Sequence, residues 1–391
     1  METSSDDRQD ISSEPSAKVS RQTGRRIWLN LHMFIGLFVG AIFVIMGLTG
    51  SSLVFRRSID VWLHPQLLNV RVTGAPAPVE TALSNVKAIL PAGAHLHHLE
   101  LPLNEQEVIR AVYWPAASGT AIEVLVDPTT SSILGQRERD NHLTGLLYHF
   151  HRELFAGKTG ETVIGTFGIV LLISLTSGIY LWWPRRGGVR TSFTSRPNAS
   201  ILQRAYARHK ITGALGCIPV FLIACSGIFM EFERVGKALI NRVSPLLRDQ
   251  EVASNANSGL PSISADEAMM IARRHFPASS ATYIEVPGSP IGAYVVGLRQ
   301  AGEVLKTGGA SALWIDQYSG KVLAVRDWEN FSAGQTFVTW MLPLHDGEAF
   351  GLPGRILVFT AGFVPLTLYV TALRMWQLKR RARRRQQGIS L

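Results

Sequence analysis

Two histidines stand at matching positions in two apolar stretches of the chain. The 19 residues that begin at His32 (HMFIGLFVGAIFVIMGLTG) align without a gap with the 19 that begin at His209 (HKITGALGCIPVFLIACSG). In each stretch one glycine follows four residues after the histidine and another glycine ends the stretch. An ionisable side chain inside an apolar run is costly, so two histidines placed alike indicate a shared function.

A second pair of histidines is related in the same way. His151 aligns without a gap with His345, and the apolar runs that follow them match as well. His149 lies two residues before His151, so the two cannot share a helix face. The alignment favours His151 as the functional residue, and His149 remains a second candidate on that side.

The surroundings of these histidines decide which ligand they suit. Zinc prefers four ligands, and no nearby cysteine or intramembrane carboxylate completes such a set. Haem iron needs only one or two axial residues and otherwise flat, apolar walls. Four glycines share the helical face of His32 and could form such a wall, although taken alone they are more typical of close helix packing: Gly36, Gly40, Gly47 and Gly50. Their position beside the histidine favours haem, and the absence of a CxxCH motif excludes covalent attachment.

Three further histidines, His95, His97 and His98, form a cluster outside the apolar runs. Side chains alternate between the two faces of a β-strand. The pattern therefore places His95 and His97 on one face and His98 on the other. We expect a solvated strand here and not a set of metal ligands.

Four segments are long and apolar enough to cross a bilayer. They have 25, 22, 20 and 18 residues and carry no charge apart from His32: Leu31–Phe55, Thr162–Trp183, Ile211–Met230 and Ile356–Leu373. Buried helices of a soluble core are a poor alternative for runs of this kind. The sequence predicts a membrane α-helical protein.

The charges predict the orientation of these spans. Residues 184–210 and 374–391 each hold seven basic and no acidic residues, whereas the long segments 56–161 and 231–355 each carry a net charge of −2. Positive charge stays on the cytoplasmic side. The net charge of +10 is therefore a topology signal and not a nucleic-acid signal, and contact of the basic tail with membrane lipid is secondary.

The two halves of the chain share one plan, which predicts four transmembrane helices in two parallel repeats with two periplasmic α+β modules. In each module a helix (78–91, 264–277) precedes strands, and Asp127 aligns with Asp316. The predicted order is a disordered cytoplasmic N-terminus (1–24), a span (25–56), a periplasmic segment (57–158), a span (159–183), a cytoplasmic loop (184–207), a span (208–231), a periplasmic segment (232–352), a span (353–376) and a basic cytoplasmic tail (377–391).

Several motifs together resemble a known family. They are LNLHMFIGL and LTG in the first span, HRELFAGKTG before the second span and SGIYLWWPRR at its end, ARHKITGALG in the third span and PLHDGEAFG before the fourth. Over residues 25–378 the chain resembles the PepSY-associated transmembrane-helix family of iron-regulated bacterial inner-membrane proteins, which includes FoxB-like siderophore-iron reductases.

The resemblance implies a multi-pass protein of the bacterial inner membrane with cytoplasmic termini. It implies an oxidoreductase with two non-covalent, bis-histidine b-type haems that reduces ferric siderophore in the periplasm and so releases Fe(II). Carried over by position, the axial ligands are His32, His209, His151 and His345. The additional His149 leaves one periplasmic ligand open.

The chain lacks a nucleotide-binding motif of the G-x-G-x-x-G type, so we expect a membrane quinol or a separate flavoprotein as the electron donor. Two other functions remain alternatives. One is a component of a siderophore or iron transporter, which the duplicated plan would suit, although the spans hold no buried acid. The other is a non-enzymatic regulatory or binding protein, in which the periplasmic modules hold a partner.

Overall fold

The computed structural model describes residues 15–70, 74–116, 119–184, 188, 193–194, 197–248, 252–256 and 259–388. Its helices are α1 (Pro15–Phe34), α2 (Gly40–Val54), α3 (Arg56–Leu63), α4 (Pro65–Leu68), α5 (Val79–Ile89), α6 (Leu143–Glu153), α7 (Gly157–Trp182), α8 (Ile201–Glu231), α9 (Glu233–Ile240), α10 (Ala265–His275), α11 (Ala333–Asp346), α12 (Gly351–Ala361) and α13 (Val364–Gln386). Its strands are β1 (His95–Glu100), β2 (Ile109–Trp114), β3 (Ile122–Val126), β4 (Ile133–Glu138), β5 (Ser280–Glu285), β6 (Ala293–Arg299), β7 (Ser311–Asp316) and β8 (Val322–Arg326).

The four predicted spans are confirmed by the length and composition of four helical stretches. These stretches are Gly24–Val54, Gly157–Trp182, Ile201–Glu231 and Glu348–Gln386. Their apolar side chains are widely exposed in the isolated chain, as at Phe38 (71%) and Ile218 (72%). A surface of this kind needs an apolar solvent, since exposed apolar patches of this extent are rare in soluble monomers. The chain is a membrane protein.

The first and fourth spans are not uniform α-helices. In the first, a π-helical turn, Ile35–Val39, joins α1 to α2. In the fourth, the helix breaks between α12 and α13 just before Pro365, whose ring lacks an N–H and fits the first turn of the new helix. Helix α1 begins at Pro15, inside the region 1–24 that we expected to be disordered, because a helix once nucleated extends at little cost. Residues 1–14 lie outside the described part of the chain.

The chain divides into two compact units. The first comprises residues 1–45, 170–221 and 364–391, and the second comprises 46–169 and 222–363. The first unit consists of helical segments. The second holds other helical segments together with all eight described strands.

The strands form one antiparallel sheet in the order β4-β3-β2-β1-β5-β6-β7-β8. The predicted helices at 78–91 and 264–277 are confirmed as α5 and α10, and four strands follow each of them, as expected. We expected two separate α+β modules. The structure joins them through the antiparallel pair β1–β5, in which Leu99 lies opposite Ile284. Both residues are fully buried, so the junction belongs to the core of a single continuous sheet.

Helices α5 and α10 cover one face of this sheet and cap each other. The Asp266 carboxylate, in the first turn of α10, accepts hydrogen bonds from the backbone N–H groups of Val79 (2.8 Å) and Glu80 (3.1 Å). The Glu80 carboxylate in turn accepts one from the N–H of Ala265 (2.7 Å). Each carboxylate thus binds N–H groups that the first turn of a helix leaves without an internal partner.

Replacing Asp266 by alanine should destabilise the sheet unit by about 1–2 kcal/mol, because two helix-terminal N–H groups lose their acceptor. Thermal unfolding of the purified protein in detergent measures this loss. Glu105→Ala, which removes an exposed loop carboxylate, serves as the matched control. Equal midpoints for Asp266→Ala and Glu105→Ala would contradict the mutual cap.

Candidate functional site

The first histidine pair lies within the helical unit. His32 is near the end of α1 and His209 is in the first third of α8, and their ring centres are 6.2 Å apart. The two rings are nearly perpendicular, at 86°. The structure thus brings together the two histidines that the sequence aligned.

The second pair lies within the unit that holds the sheet. His151 is on α6 and His345 is on α11, two helices that precede spans and that the sequence did not predict. Their ring centres are also 6.2 Å apart, with an angle of 56° between the rings. The two pairs therefore share one spacing.

All four histidines are held by the same arrangement on a neighbouring helix. Each Nδ1 lies beside a backbone carbonyl and a hydroxyl three residues further along that helix. The contacts are His32 with Ser174 O (3.1 Å) and Ser177 Oγ (3.0 Å), His209 with Leu368 O (3.1 Å) and Thr371 Oγ1 (3.0 Å), His345 with Ile223 O (3.0 Å) and Ser226 Oγ (3.3 Å), and His151 with Met46 O and Thr49 Oγ1 (2.9 Å).

This arrangement determines which ring nitrogen carries the proton. Each hydroxyl donates its own proton to the carbonyl three residues before it: Ser177 to Ser174 (2.8 Å), Thr371 to Leu368 (2.9 Å), Ser226 to Ile223 (3.0 Å) and Thr49 to Met46 (3.1 Å). A carbonyl oxygen only accepts, so Nδ1 must be the donor to both oxygens. The lone pair then resides on Nε2, which leaves that nitrogen able to bind a metal.

Burial keeps the second pair neutral. It lowers the pKa of His151 to about 3, assisted by the nearby His345, and it lowers the pKa of His345 as well. A neutral imidazole is the form that ligates a metal. The lowered pKa values of both rings favour the neutral, ligating form.

The spacing of the rings suits one metal ion per pair. A metal bound to two imidazole nitrogens at about 2 Å, with each ring centre about 1.1 Å beyond its nitrogen, separates the ring centres by about 6 Å. Both pairs match this separation. Among the residues that the structure describes, no group of three or more His, Cys, Asp or Glu side chains is placed to hold a metal. The donor set is two imidazoles, which is what a bis-histidine haem requires and less than zinc takes.

The glycines of the second helix do not form the wall that we predicted beside His32. A Cβ atom at Gly40 would lie 2.7 Å from the ring of Tyr369. Gly47 packs against Gly362 of another helix, where a Cβ atom on Gly362 would lie 2.4 Å from the Gly47 carbonyl oxygen. A Cβ atom at Gly50 would lie 2.9 Å from Cε1 of His151. The helix-packing interpretation is therefore correct at Gly40 and Gly47, and Gly50 makes room for a histidine of the other pair.

Gly227 makes room for the ring of His345 in the same way as Gly50 makes room for His151. A Cβ atom at Gly227 would lie 3.0 Å from Cε1 of His345. We expect Gly50→Ala to displace His151 and to lower the haem content from the two haems that the resemblance implies toward one, as measured by the pyridine haemochrome. Gly24→Ala is the matched control, because a Cβ atom at Gly24 has no atom within 4 Å among the described residues and Gly24 is not one of the four glycines beside His32. Undiminished haem in Gly50→Ala would contradict the close fit.

The structure separates His149 from the histidine pair. Both ring nitrogens of His149 face carboxylates, Nδ1 that of Glu153 and Nε2 that of Asp140. Burial opposes protonation of this ring, but the two carboxylates raise its pKa above the ordinary value. It is His151, and not His149, whose ring lies against His345.

The expectation that His97 and His98 point to opposite faces is wrong. A β-bulge between Leu96 and His98 inserts one extra residue into β1. The rings of His97 and His98 consequently meet, with centres 4.8 Å apart and the two Nδ1 atoms 2.6 Å apart, a hydrogen bond between them. His95, the first residue of the same strand, is exposed.

Sequence reasoning missed the four hydroxyl residues that orient the histidines. They are Thr49, Ser177, Ser226 and Thr371. The signal was present, since Thr49 and Ser226 each precede the glycine that ends an aligned apolar stretch. Aligned hydroxyls inside spans indicate side chains that bind a polar group of another helix.

Comparison with known proteins supports one family. A family model described as the PepSY-associated TM region matches residues 29–379, nearly the whole chain. No curated protein matches the chain.

Proposed function

Because the chain belongs to the PepSY-associated transmembrane family, we propose that it is a b-type dihaem protein that reduces ferric siderophore. In this proposal the protein lies in the bacterial inner membrane and passes electrons across it. The ferric chelate is reduced in the periplasm, and Fe(II) is released for uptake.

One observation carries the proposal: two histidine pairs with ring centres 6.2 Å apart, each with Nε2 available. Haem iron with two imidazole ligands supplies reversible one-electron transfer. The chain's own contribution is to hold each ring. The carbonyl and hydroxyl that accept from Nδ1 fix the orientation of the imidazole and increase its basicity, as second-shell acceptors do in metal sites.

In the proposed architecture the two halves are parallel repeats, and the sheet formed by β1–β8 comprises two periplasmic PepSY-like modules. The basic segments 184–210 and 374–391, with seven basic and no acidic residues each, support cytoplasmic termini and a cytoplasmic loop.

The chemistry of iron supports ferric siderophore as the substrate. Hard oxygen donors bind Fe(III) far better than Fe(II), so one electron loosens the complex and leaves the chelator intact. The electron donor is a membrane quinol or a separate flavoprotein, since the chain has no nucleotide-binding motif.

The test uses the full-length protein purified in detergent from haem-replete cells. We expect a Soret band, a b-type pyridine haemochrome with two haems per chain, and formation of Fe(II) from a ferric hydroxamate after chemical reduction of the protein. The Fe(II) is captured by a colorimetric chelator. The quadruple variant of His32, His209, His151 and His345 to alanine is the control.

Each alternative function predicts a different result. A transporter moves labelled ferric chelate into proteoliposomes without electron flow. A regulatory or binding protein keeps its function in the quadruple alanine variant. Colourless wild-type protein, or a quadruple variant that still reduces the chelate, would overturn the proposal.

A further inference from the structure

A groove of about 310 Å³ lies at the basic end of the first and second spans, within the helical unit. Its lining is Arg25 from α1 and Ile179, Tyr180 and Trp183 from the end of α7. A volume near 300 Å³ is at the lower end of small-molecule sites in proteins. The histidine sites do not include any of these residues.

The lining combines flat aromatic faces with one cation. Tyr180 and Trp183 are 48% and 62% exposed, and the ring of Trp28 lies 6.3 Å from that of Tyr180. The Arg25 guanidinium donates from Nη2 to the Leu181 carbonyl (3.0 Å), which positions it and leaves other N–H donors of the same group. Such a lining suits a flat, neutral ring with oxygen acceptors at its edge.

The groove lies near His32 on the same two helices. A Cβ atom at Gly178, the residue before Ile179, would lie 3.1 Å from Cε1 of His32. On α1, Arg25 and His32 are seven residues apart, which places them on the same helix face and about 10 Å apart along the axis. A ligand in the groove therefore lies close to the first histidine pair.

The residues that line the groove differ between the two halves of the chain. In the alignment of the two halves, Arg25 and Trp28 correspond to Leu202 and Ala205, whereas Tyr180 and Trp183 correspond to Arg374 and Gln377. Aromatic residues that only anchor a helix at the membrane surface would be useful in both halves. The unequal distribution indicates a function specific to the first half.

We infer that this groove binds the head group of a membrane quinol, the electron donor of the protein. The inference rests on the proposed function. Arg25, Ile179 and Tyr180 belong to two of the membrane-spanning helices, where a membrane quinol can reach them. Arg25 can donate to a ring oxygen while Tyr180 and Trp183 contact the ring. A phospholipid headgroup would instead require several cations around its phosphate, and among the residues that the structure describes Arg25 is the one cation in the lining.

In the overall reaction one quinol releases its two O–H protons to water, gives up two electrons one at a time, and becomes a quinone. Two ferric chelates each accept one electron and become ferrous. No further oxidant or reductant takes part.

The test measures binding directly, by isothermal titration calorimetry of decylubiquinone into the detergent-solubilised haem protein. We expect wild-type protein to bind and Trp183→Leu and Tyr180→Leu each to raise Kd by about tenfold or more through loss of the aromatic contact. Reduction of the haem by decylubiquinol should slow by a similar factor. Trp376→Leu is the matched control, since Trp376 is an exposed aromatic of the same unit that contacts Arg380 (5.2 Å) and lies outside the groove.

Failure of the inference differs from failure of the proposed function. Wild-type protein that contains haem and reduces ferric chelate after dithionite treatment, yet binds no quinone, would overturn the quinol site alone. The same holds if Trp183→Leu binds as wild type does, or if only a reduced flavoprotein delivers electrons. Protein without haem would overturn the proposed function. The two failures are distinguishable because calorimetry measures quinone binding and the haemochrome measures haem content.

Discussion

We expect His209→Ala to remove one of the two proposed haems from the purified protein and to leave the other in place. The pyridine haemochrome should fall to about one haem per chain. The two histidine pairs belong to different units and share no residue, so the loss of one pair leaves the other complete. His345→Ala should have the same effect on the other site. The double variant should be colourless.

The matched control is His149→Ala. Its ring is bound by Glu153 and Asp140 and does not face His345, so the variant should retain both haems. Loss of a haem in His149→Ala, or two haems in His209→Ala, would contradict the assignment of ligands.

Ser177→Ala and Thr371→Ala test the hydroxyls that accept from the histidines of the first pair. Removal of one acceptor should shift the reduction potential of the first haem while the haem content stays near two.

The second large effect concerns a buried ion network between α3 and the sheet. Arg137 donates to both carboxylate oxygens of Asp60 (2.9 and 2.7 Å) and to Glu123 (2.8 Å). The Asp60 and Glu123 side chains are only 5% and 4% exposed. Burial alone would raise the pKa of Asp60, yet Arg137, with His142 and Arg110, holds it below its ordinary value.

Arg137→Met should therefore destabilise the sheet unit by about 3 kcal/mol or more, since it leaves buried carboxylates without their main partner. The loss is measured as a lower unfolding midpoint in detergent and as faster proteolysis of the unit. Lys237→Met is the matched control. Its ion pair with Glu233 (2.7 Å) joins side chains that are 47% and 54% exposed, so it should change stability by less than about 1 kcal/mol. Equal effects of the two variants would contradict a stabilising network.

The pH dependence of this contribution has a definite sign. The pKa of Asp60 is lower in the folded protein than its ordinary value of 3.8. The stabilisation is consequently complete above that value and is lost as the pH falls through the lower, folded pKa. Arg137→Met should show a smaller decrease in stability between neutral and acidic pH than wild type shows.

The existence of the four spans and of most strands was predictable because both depend on neighbouring residues. A bilayer requires about 20 consecutive apolar residues, which Thr162–Trp183 displays directly. Likewise, Ala121–Pro128 is bounded by breakers and rich in β-branched residues, and β3 occupies it. The helices α6 and α11 were missed because their apolar periods are short and α11 contains Pro343.

The β-bulge in β1 shows why side-chain direction was harder to predict. Alternation holds only while the register of a strand is regular, and one inserted residue reverses it. Nothing in HLHHLE distinguishes a bulged from a regular strand. The contact between His97 and His98 thus arises from the pairing of β1 with β2, which is a long-range property.

The sequence by itself determined that this is a four-span membrane protein with four histidines in two matching sets, because bilayer insertion and internal alignment are recorded in local residue order. Only the tertiary structure decided that His32 faces His209 and that His151, not His149, faces His345. It also decided that both halves contribute to one sheet and that Gly50 accommodates a histidine. The reason is that ring spacing, tautomer and close packing depend on residues more than 100 positions apart, such as Thr49 and His151, which meet only after the helices pack.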